Sequence, residues 1–195
     1  MPMVTALRAF GAGRIAVELD GRPWRVVPQE AAFTAGLDVG RQLDRQRARR
    51  LRQELVRLRT LDAAARALRR RDLSAQRLAE LLERTGGPEN TRRQTVEMLE
   101  RVGVVDDVRL AQTRAATIAE RGYGDAAIDA DLERQGISAD VRADAIAALR
   151  PELERLGRIV ERRGNGPQTA RYAARRGFGE AAVAAAFGVD FANDP

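Results

Sequence analysis

The stretch Arg121-Gly122-Tyr123-Gly124, followed by a helix-forming segment that ends at Arg134 and Gly136, is one of three related copies in this chain. The other copies begin at Arg71-Asp72-Leu73-Ser74 and at Arg163-Gly164-Asn165-Gly166, and each continues into an amphipathic segment ending in arginine and then glycine. Repeats at intervals of roughly 40 to 50 residues are typical of stacked helical units, which form extended surfaces for binding polymers. The repeat therefore predicts a helical array and favours a binding function.

The segments around these copies predict a mainly α chain with a small β-rich start. Residues 4–27 contain strand-like runs with a hairpin turn at Asp20-Gly21. A highly charged helix follows, and apolar residues then recur at helical spacing, which predicts helices over 107–121, 125–135 and 139–149 in the second copy. We predict three tandem three-helix repeats that form an elongated curved array, preceded by a small N-terminal β-hairpin unit and a basic helix.

The predicted boundaries follow the breaks in this pattern. Ser74 and the pair Asp106-Asp107 stand at predicted helix starts, where hydroxyl and carboxylate groups cap free backbone N–H groups. The predicted division is a β-rich unit at 1–39, a basic linker helix at 40–60, three repeats at 61–105, 106–150 and 151–190, and a tail at 191–195.

The β-rich unit holds the single tryptophan, Trp24. A tryptophan on a small β unit can stack on a nucleic-acid base, but it more often fills the core. We therefore predict that Trp24, Ile15 and Val26 pack against a short helix near residues 28–35.

Composition excludes several kinds of chemistry. The 195 residues include no cysteine and no histidine, and all 34 basic residues are arginine. Disulfides, thiolate metal sites, histidine bases and lysine-based phosphate loops are therefore excluded. No apolar run is long enough to span a membrane, and we expect no secretory leader, so the expected location is the cytoplasm. Because no catalytic constellation appears either, we predict a protein that is not an enzyme and uses no metal and no cofactor.

Arginine side chains form the candidate binding surface. Exclusive use of arginine is typical of a GC-rich genome, yet each guanidinium can also hold a phosphate through two hydrogen bonds. The basic helix at 40–60 is equally consistent with a solvated linker and with a phosphate-contacting arm. Recurrence of arginine on stacked units favours a binding stripe. The candidate binding residues are Arg41, Arg45, Arg49, Arg69, Arg70, Arg71, Arg77, Arg121, Tyr123, Arg162, Arg163, Arg171, Arg175 and Arg176.

Several motifs, in this order, resemble the RecX family of regulators of the bacterial RecA recombinase. They are the turns Gly103-Val104-Val105-Asp106-Asp107 and Arg121-Gly122-Tyr123-Gly124, and Leu132 followed by Gly136-Ile137. The hairpin at Leu19-Asp20-Gly21 and the basic helix are similar to the longer RecX forms, so the resemblance covers nearly the whole chain. The chain departs from the family at Leu110, where phenylalanine is usual, and at the Gly86-Gly87-Pro88 insertion.

The resemblance implies a non-enzymatic regulator. RecX proteins bind the RecA filament on single-stranded DNA in its helical groove, and they limit filament growth, ATP hydrolysis and strand exchange in recombination, DNA repair and the SOS response. The implied partners are the RecA filament and single-stranded DNA, with weaker binding to double-stranded DNA and no membrane, and a monomeric chain is expected. On this basis the candidate arginines contact DNA or RecA, and the acidic residues of the middle repeat, Asp125, Asp129 and Asp131, are candidates for facing RecA.

Two other functions stay open on sequence grounds. The first is a DNA-binding protein that acts without RecA, either independently of sequence or through a helix-turn-helix. Base-specific reading is disfavoured because asparagine and glutamine are rare at the predicted helix starts. The second is a helical protein-interaction scaffold with no nucleic-acid role, in which the arginines serve only solubility.

Overall fold

In the computed structural model, which describes residues 1–188, the chain is mainly helical with one small sheet. Strands β1 (Val4–Ala9), β2 (Arg14–Leu19) and β3 (Arg22–Pro28) form an antiparallel sheet in the order β1-β2-β3. The helices of the described residues are α1 (Gln29–Thr34), α2 (Arg45–Leu68), α3 (Ala75–Arg84), α4 (Glu89–Arg101), α5 (Asp107–Glu120), α6 (Asp125–Arg134), α7 (Ala139–Ala147), α8 (Glu152–Arg163), α9 (Pro167–Arg175) and α10 (Glu180–Phe187). The predicted class, a mainly α chain behind a small β unit, is confirmed.

The chain forms two compact units. The first comprises Met1–Arg70 and Leu81–Glu97, and the second comprises Arg71–Glu80 and the described chain from Met98 onward. The division between the two units cuts through α3 and through α4. The boundary predicted between residues 60 and 61 falls within α2, which continues through it without interruption. The structure thus groups residues 61–105 differently from the predicted first repeat. The predicted tail at 191–195 and the last two residues of the predicted third repeat lie outside the described residues.

The core of the first unit lies between the sheet and two helices. Alternate strand residues face one side of a sheet, and Val4, Val17 and Val27 are buried on that side. Leu51 of α2 is buried against the same cluster, which stabilises the fold by about 1.5–3 kcal/mol. Leu51, with the partly buried Leu55 and Leu58, attaches the basic helix α2 to the β-rich unit.

Trp24 does not lie in this core, and the prediction that it does is wrong. The side chain is 43% exposed, whereas Ile15 is partly buried and packs against the core as predicted. The pairing of β2 with β3 shifts register at this point, with Val17 opposite Arg25 and Glu18 opposite Pro23, so Trp24 is the extra residue of a β-bulge. A bulge redirects the side chains of its strand, which no periodicity in the sequence indicates.

The second unit contains two complete three-helix groups, each with its own core. The first group (α5–α7) encloses Ile128, Leu132 and Ile137, as the apolar spacing predicts. The second group (α8–α10) encloses Leu156 and Phe178, together with smaller residues of α9 and α10. Each of these two three-helix groups therefore packs around its own apolar cluster.

The repeated motif marks joints between successive helical segments. The Ser74 hydroxyl, at the start of α3, donates to the carbonyl of Gln135 at the end of α6. At the corresponding place in the next joint, the Gly124 N–H at the start of α6 donates to the carbonyl of Arg176 at the end of α9, at 2.9 Å. The small residue that starts one copy's helix thus contacts the end of the same helix in the next copy.

The glycines that end these helices complete the joints. Gly136 and Gly177 both have φ of +76°, a conformation that favours glycine. A Cβ on Gly136 would lie 2.7 Å from the Cβ of Gln76, and one on Gly177 would lie 2.6 Å from the backbone nitrogen of Ala127. Glycine at these two helix ends therefore allows the close approach of the chain.

An acidic residue caps each joint. The Ala75 N–H donates to Asp107 at 2.9 Å, and the Asp125 N–H donates to Glu152 at 2.7 Å. Both carboxylates come from the first turn of the following group, so they satisfy backbone donors that a helix start leaves free. The predicted capping by Ser74 is confirmed as well, since its hydroxyl accepts from the Arg77 N–H at 3.1 Å.

Candidate nucleic-acid interface

Tyrosine and arginine side chains alternate along one row of the second unit. The Arg176 guanidinium lies 4.2 Å from the ring centre of Tyr123 and 5.1 Å from that of Tyr172, and Arg163 lies 4.2 Å from Tyr172. We call these four residues the Tyr–Arg ladder. Each such contact stabilises by about 0.5–1 kcal/mol at an exposed site, so the ladder holds two guanidinium groups in place without neutralising them.

The fold brings the ladder together from three places. Tyr123 lies in the turn between α5 and α6, Arg163 ends α8, and Tyr172 and Arg176 are four residues apart on and just after α9. That spacing puts the last two on one helix face. The Arg176 guanidinium also donates to the carbonyl of Arg121 at 3.3 Å, which ties α9 to the end of α5.

A cavity of about 630 Å³, here called the arginine cavity, lies beside the ladder. It is formed by the carboxyl end of α5, the residues that follow α7 and one face of α8 from Arg155 to its carboxyl end, and Tyr172 of the ladder lines it. Among the described residues around it, Glu120 is the one acid. Its arginines are Arg121, Arg150, Arg155, Arg158, Arg162 and Arg163.

Most of these arginines have no partner within residues 1–188. Two of the six have one, since Arg163 contacts the Tyr172 ring and Arg155 pairs with Asp125. The Arg155 side chain is only 10% exposed, and it also donates to the carbonyl of Tyr123 at 2.9 Å. By contrast, the exposed side chains of four others make no ion pair with any described residue, namely Arg121, Arg150, Arg158 and Arg162. Their charge is therefore available to an anionic ligand.

A second cavity, of about 670 Å³, is also lined by Arg121 and contains Tyr123 at its wall. Its other cations are Arg71, Arg114 and Arg134. Because Arg121 lines both cavities, they adjoin at that side chain. The second cavity is less basic, since Asp131 and Asp72 also line it.

Asp131 is held by two arginines of this second cavity. Arg114 and Arg134 each have a guanidinium nitrogen 3.1 Å from the same carboxylate oxygen of Asp131. The hydrogen bond from Arg114 is the main cause that holds the pKa of Asp131 below its ordinary value, and Arg134 adds to it. Asp131 thus links α5 to α6.

Asp125 and Asp129 also have intrachain partners. Asp125 pairs with Arg155, yet burial raises the pKa of its carboxyl, because the loss of hydration outweighs the guanidinium. Asp129 lies 2.7 Å from Arg142. The assignment of these aspartates and Asp131 to a RecA-facing surface stays a prediction, and reversing their charges would also break these ion pairs.

The structure brings together some of the candidate residues and separates others. Arg121 and Tyr123 meet Arg71 at the second cavity, and Arg121 meets Arg162 and Arg163 at the first. Arg176 belongs to the ladder. Arg171 and Arg175 are exposed on α9 but line neither cavity.

The remaining candidates have other surroundings. Arg77 pairs with Glu80 and also donates to the carbonyl of Arg134, so it serves a joint. Arg41 lies 3.5 Å from Asp38. The other four belong to the first unit and are exposed: Arg45, Arg49, Arg69 and Arg70.

Sequence reasoning missed several cavity residues. Arg155 and Arg158 recur with the candidate Arg162 at spacings of three and four, which places all three on one face of α8 and was a usable signal for the two that were missed. Tyr172, four residues before Arg176, was another. Arg150 lies between α7 and α8, where no periodicity identifies it.

Residues 1–188 contain neither a candidate metal site nor a candidate membrane span. No group of three or more acidic side chains in this range lies close enough to hold a metal ion. No helix in the same range combines the length and the apolar character needed to cross a bilayer.

Two solved structures share this fold. The crystal structure of regulatory protein RecX aligns with a TM-score of 0.80 and 17% identity, covering 96% of this chain and 99% of that chain. RecX from Lactobacillus salivarius aligns with a TM-score of 0.61 and 14% identity, covering 68% of this chain and 95% of that chain. No protein-family model and no curated protein matches the sequence. The chain therefore has the fold of these RecX structures, as expected from the resemblance.

Proposed function

We propose that this chain is a RecX-family regulator that binds the RecA filament on single-stranded DNA and inhibits filament growth, ATP hydrolysis and strand exchange. The observation that carries the proposal is the agreement of fold with regulatory protein RecX over 96% of this chain. The sequence motifs between Gly103 and Ile137 support it independently. The protein would act without catalysis of its own, as a monomer, in the cytoplasm where the filament forms.

The surface of the second unit supports contact with a nucleic-acid strand. Unpaired guanidinium groups suit phosphates, and the rings of the Tyr–Arg ladder suit unstacked bases, which a single strand offers and a duplex hides. The four exposed candidate arginines of the first unit that make no ion pair within the described residues add sequence-independent attraction. Single-stranded DNA is therefore the favoured nucleic-acid partner, with weaker binding to double-stranded DNA.

The test is RecA-driven ATP hydrolysis on single-stranded DNA while this protein is titrated in. We expect the rate to fall with added protein and to stay low when extra single-stranded DNA is supplied, because the target is the filament. Unchanged hydrolysis at saturating protein would contradict the proposal.

The alternative, a DNA-binding protein that acts without RecA, predicts a different result in the same assay. Such a protein would slow hydrolysis only by occupying the DNA, so extra single-stranded DNA would restore the full rate. A gel shift of the filament, compared with a gel shift of the DNA alone, separates the two cases further. A super-shifted filament at protein concentrations that leave free DNA unshifted would favour the regulator.

A further inference from the structure

We propose that the arginine cavity is a nucleotide site, in which phosphate groups bind Arg150, Arg158 and Arg162 and the base stacks on the Arg163–Tyr172 pair. The nucleotide has two possible sources, a free nucleoside triphosphate or one unit of a DNA strand. Only the second source rests on the proposed function, because a nucleotide site can exist whether or not RecA is the partner.

The size of the cavity fits a ligand of this class. Small-molecule sites have volumes of roughly 300–1,000 Å³, and the arginine cavity has about 630 Å³. Its walls are also mixed in the way such sites require. Ile159, Leu149 and alanines of α5 and α7 supply apolar surface, and the arginines supply the polar groups that fix an anion.

The charge of the cavity exceeds what the helix ends around it require. Each helix carboxyl end carries about half a negative charge, so the ends of α5, α7 and α8 together account for on the order of 1.5 charges. Six arginines line the cavity, and two of their positive charges are balanced, one by Glu120 and one by Asp125, which pairs with Arg155. The helix ends and these two acids together do not balance the remaining positive charge, which a polyphosphate or a phosphodiester would neutralise.

The Tyr–Arg ladder argues for a base in addition to phosphate. Tyr172 lines the cavity, and Arg163 and Arg176 lie 4.2 and 5.1 Å from its ring centre, which fixes the ring. Stacking of a base on an aromatic side chain tolerates any base. The Arg163 guanidinium already lies over the ring and also lines the cavity, so the two side chains form one stacking platform. A ligand of phosphate alone would use only the free arginines, whereas a nucleotide also stacks its base on this platform.

The experiment measures binding to the protein alone, without RecA. The probes are ATP with a fluorescent ribose label, a labelled oligothymidine and, as a competitor without a base, tripolyphosphate. We expect R158A/R162A to weaken binding of the labelled probes by about tenfold or more, because two charge-assisted contacts are lost. The matched control R84A/R101A removes the same charge from exposed side chains outside both cavities, and we expect a change within about twofold.

Tyr172→Ala separates a nucleotide site from a general anion site. It should weaken labelled ATP and oligothymidine by about fivefold to a hundredfold, the range of base stacking, while competition by tripolyphosphate is unchanged. Thermal unfolding of each variant checks that the fold is intact. If only the oligothymidine binds and the same variants weaken it, the nucleotide comes from a strand.

Three results would overturn the proposal. They are no binding of either labelled probe, equal losses in R158A/R162A and R84A/R101A, and no effect of Tyr172→Ala. None of these results touches inhibition of RecA-driven hydrolysis, so the proposed function would be judged separately.

Discussion

Among single residues, Gly124 and Gly166 occupy the same position at the start of α6 and α9 but differ in their surroundings. A Cβ on Gly124 would overlap the backbone of Gly177 and Phe178, whereas one on Gly166 would meet no atom within 4 Å. Both glycines have a negative φ that alanine also adopts, so the two substitutions differ only in the steric clash of the added Cβ. We expect Gly124→Ala to lower the free energy of unfolding by about 1–3 kcal/mol more than Gly166→Ala.

Urea unfolding followed by circular dichroism measures this difference. Alanine is a poorer helix N-cap than glycine at both positions, so that cost cancels in the comparison. Equal destabilisation by the two substitutions would show that the joint between α6 and α9 tolerates a methyl group, against the geometry described above.

The aspartates at 125 and 131 predict opposite dependences of stability on pH. Asp131 has a folded pKa below the unfolded value of about 3.9, so its stabilisation is full above that pH and is lost as the pH falls through the folded pKa. Asp125 has a folded pKa above its unfolded value, so the unfolded chain loses the proton first as the pH rises. The free energy of unfolding therefore falls between the unfolded pKa and the folded pKa. Asp131→Asn should therefore cost most at neutral pH.

Unfolding of wild type, D131N and D125N at a series of pH values checks these signs. The gap between wild type and D131N should shrink on acidification. The stability of wild type relative to D125N should instead fall as the pH rises from acid towards neutral, before it levels off. Parallel curves for the three proteins would contradict both assignments.

Local chemistry made some residues predictable from sequence and others not. Ser74 and Asp106 cap helices as their residue types and positions indicate, with Asp106 accepting from the Arg109 N–H at 2.9 Å. Trp24 was placed wrongly because a β-bulge depends on pairing between strands, which local sequence does not encode. The ladder contacts of Tyr123 depend on α9, some 50 residues away, and were equally out of reach.

At the scale of elements, α2 presents one face of unpaired arginines. Arg45, Arg49 and Arg52 follow at spacings of four and three, all are exposed, and none makes an ion pair within the described residues. If this face contacts phosphates, each contact contributes about −0.7 to the slope of log K against log salt for a single strand. We expect R45Q/R49Q/R52Q to reduce that slope by about 2.

The matched control changes arginines of α2 that already have partners. Arg57 lies 2.7 Å from Glu54, and Arg66 pairs with Asp62. R57Q/R66Q should leave the salt slope unchanged within about 0.5, because these charges are not free for phosphate. The measurement is fluorescence anisotropy of labelled oligothymidine over a range of salt. An unchanged slope in the triple variant would favour the solvated-linker interpretation of this helix.

Helix positions were predictable to within two residues wherever the apolar spacing was regular. The helices predicted over 107–121, 125–135 and 139–149 correspond to α5, α6 and α7. What the pattern could not supply was the grouping of these elements. The charged segment at 40–60 was treated as separate from the helix after it, although both belong to α2, because charge changes along a helix without interrupting it.

For the molecule as a whole, the division into units is the least predictable property. Local periodicity identifies each helix, but the two compact units divide inside α3 and α4, which depends on contacts distant in sequence. The candidate site is divided in the same way. Its cavity and ladder lie in the second unit, while the unpaired face of α2 lies in the first.

Two basic surfaces on one chain predict a gain in affinity with the length of a DNA strand. A strand that reaches both surfaces binds the second as an intramolecular event, and such linkage can raise affinity by about 10²–10⁴. We expect wild type to bind a long oligothymidine more tightly than a short one by at least about tenfold.

Either R45Q/R49Q/R52Q or R158A/R162A should remove the extra affinity for the long strand. The two variants should differ in their affinity for the short strand. The cavity variant should weaken binding of the short strand, because the cavity carries the stacking contact in addition to charge. The α2 variant should leave the short strand nearly unchanged and lower only the affinity for the long one. Anisotropy titrations with both strands check this, and a full length gain in both variants would mean that the two surfaces do not engage one strand together.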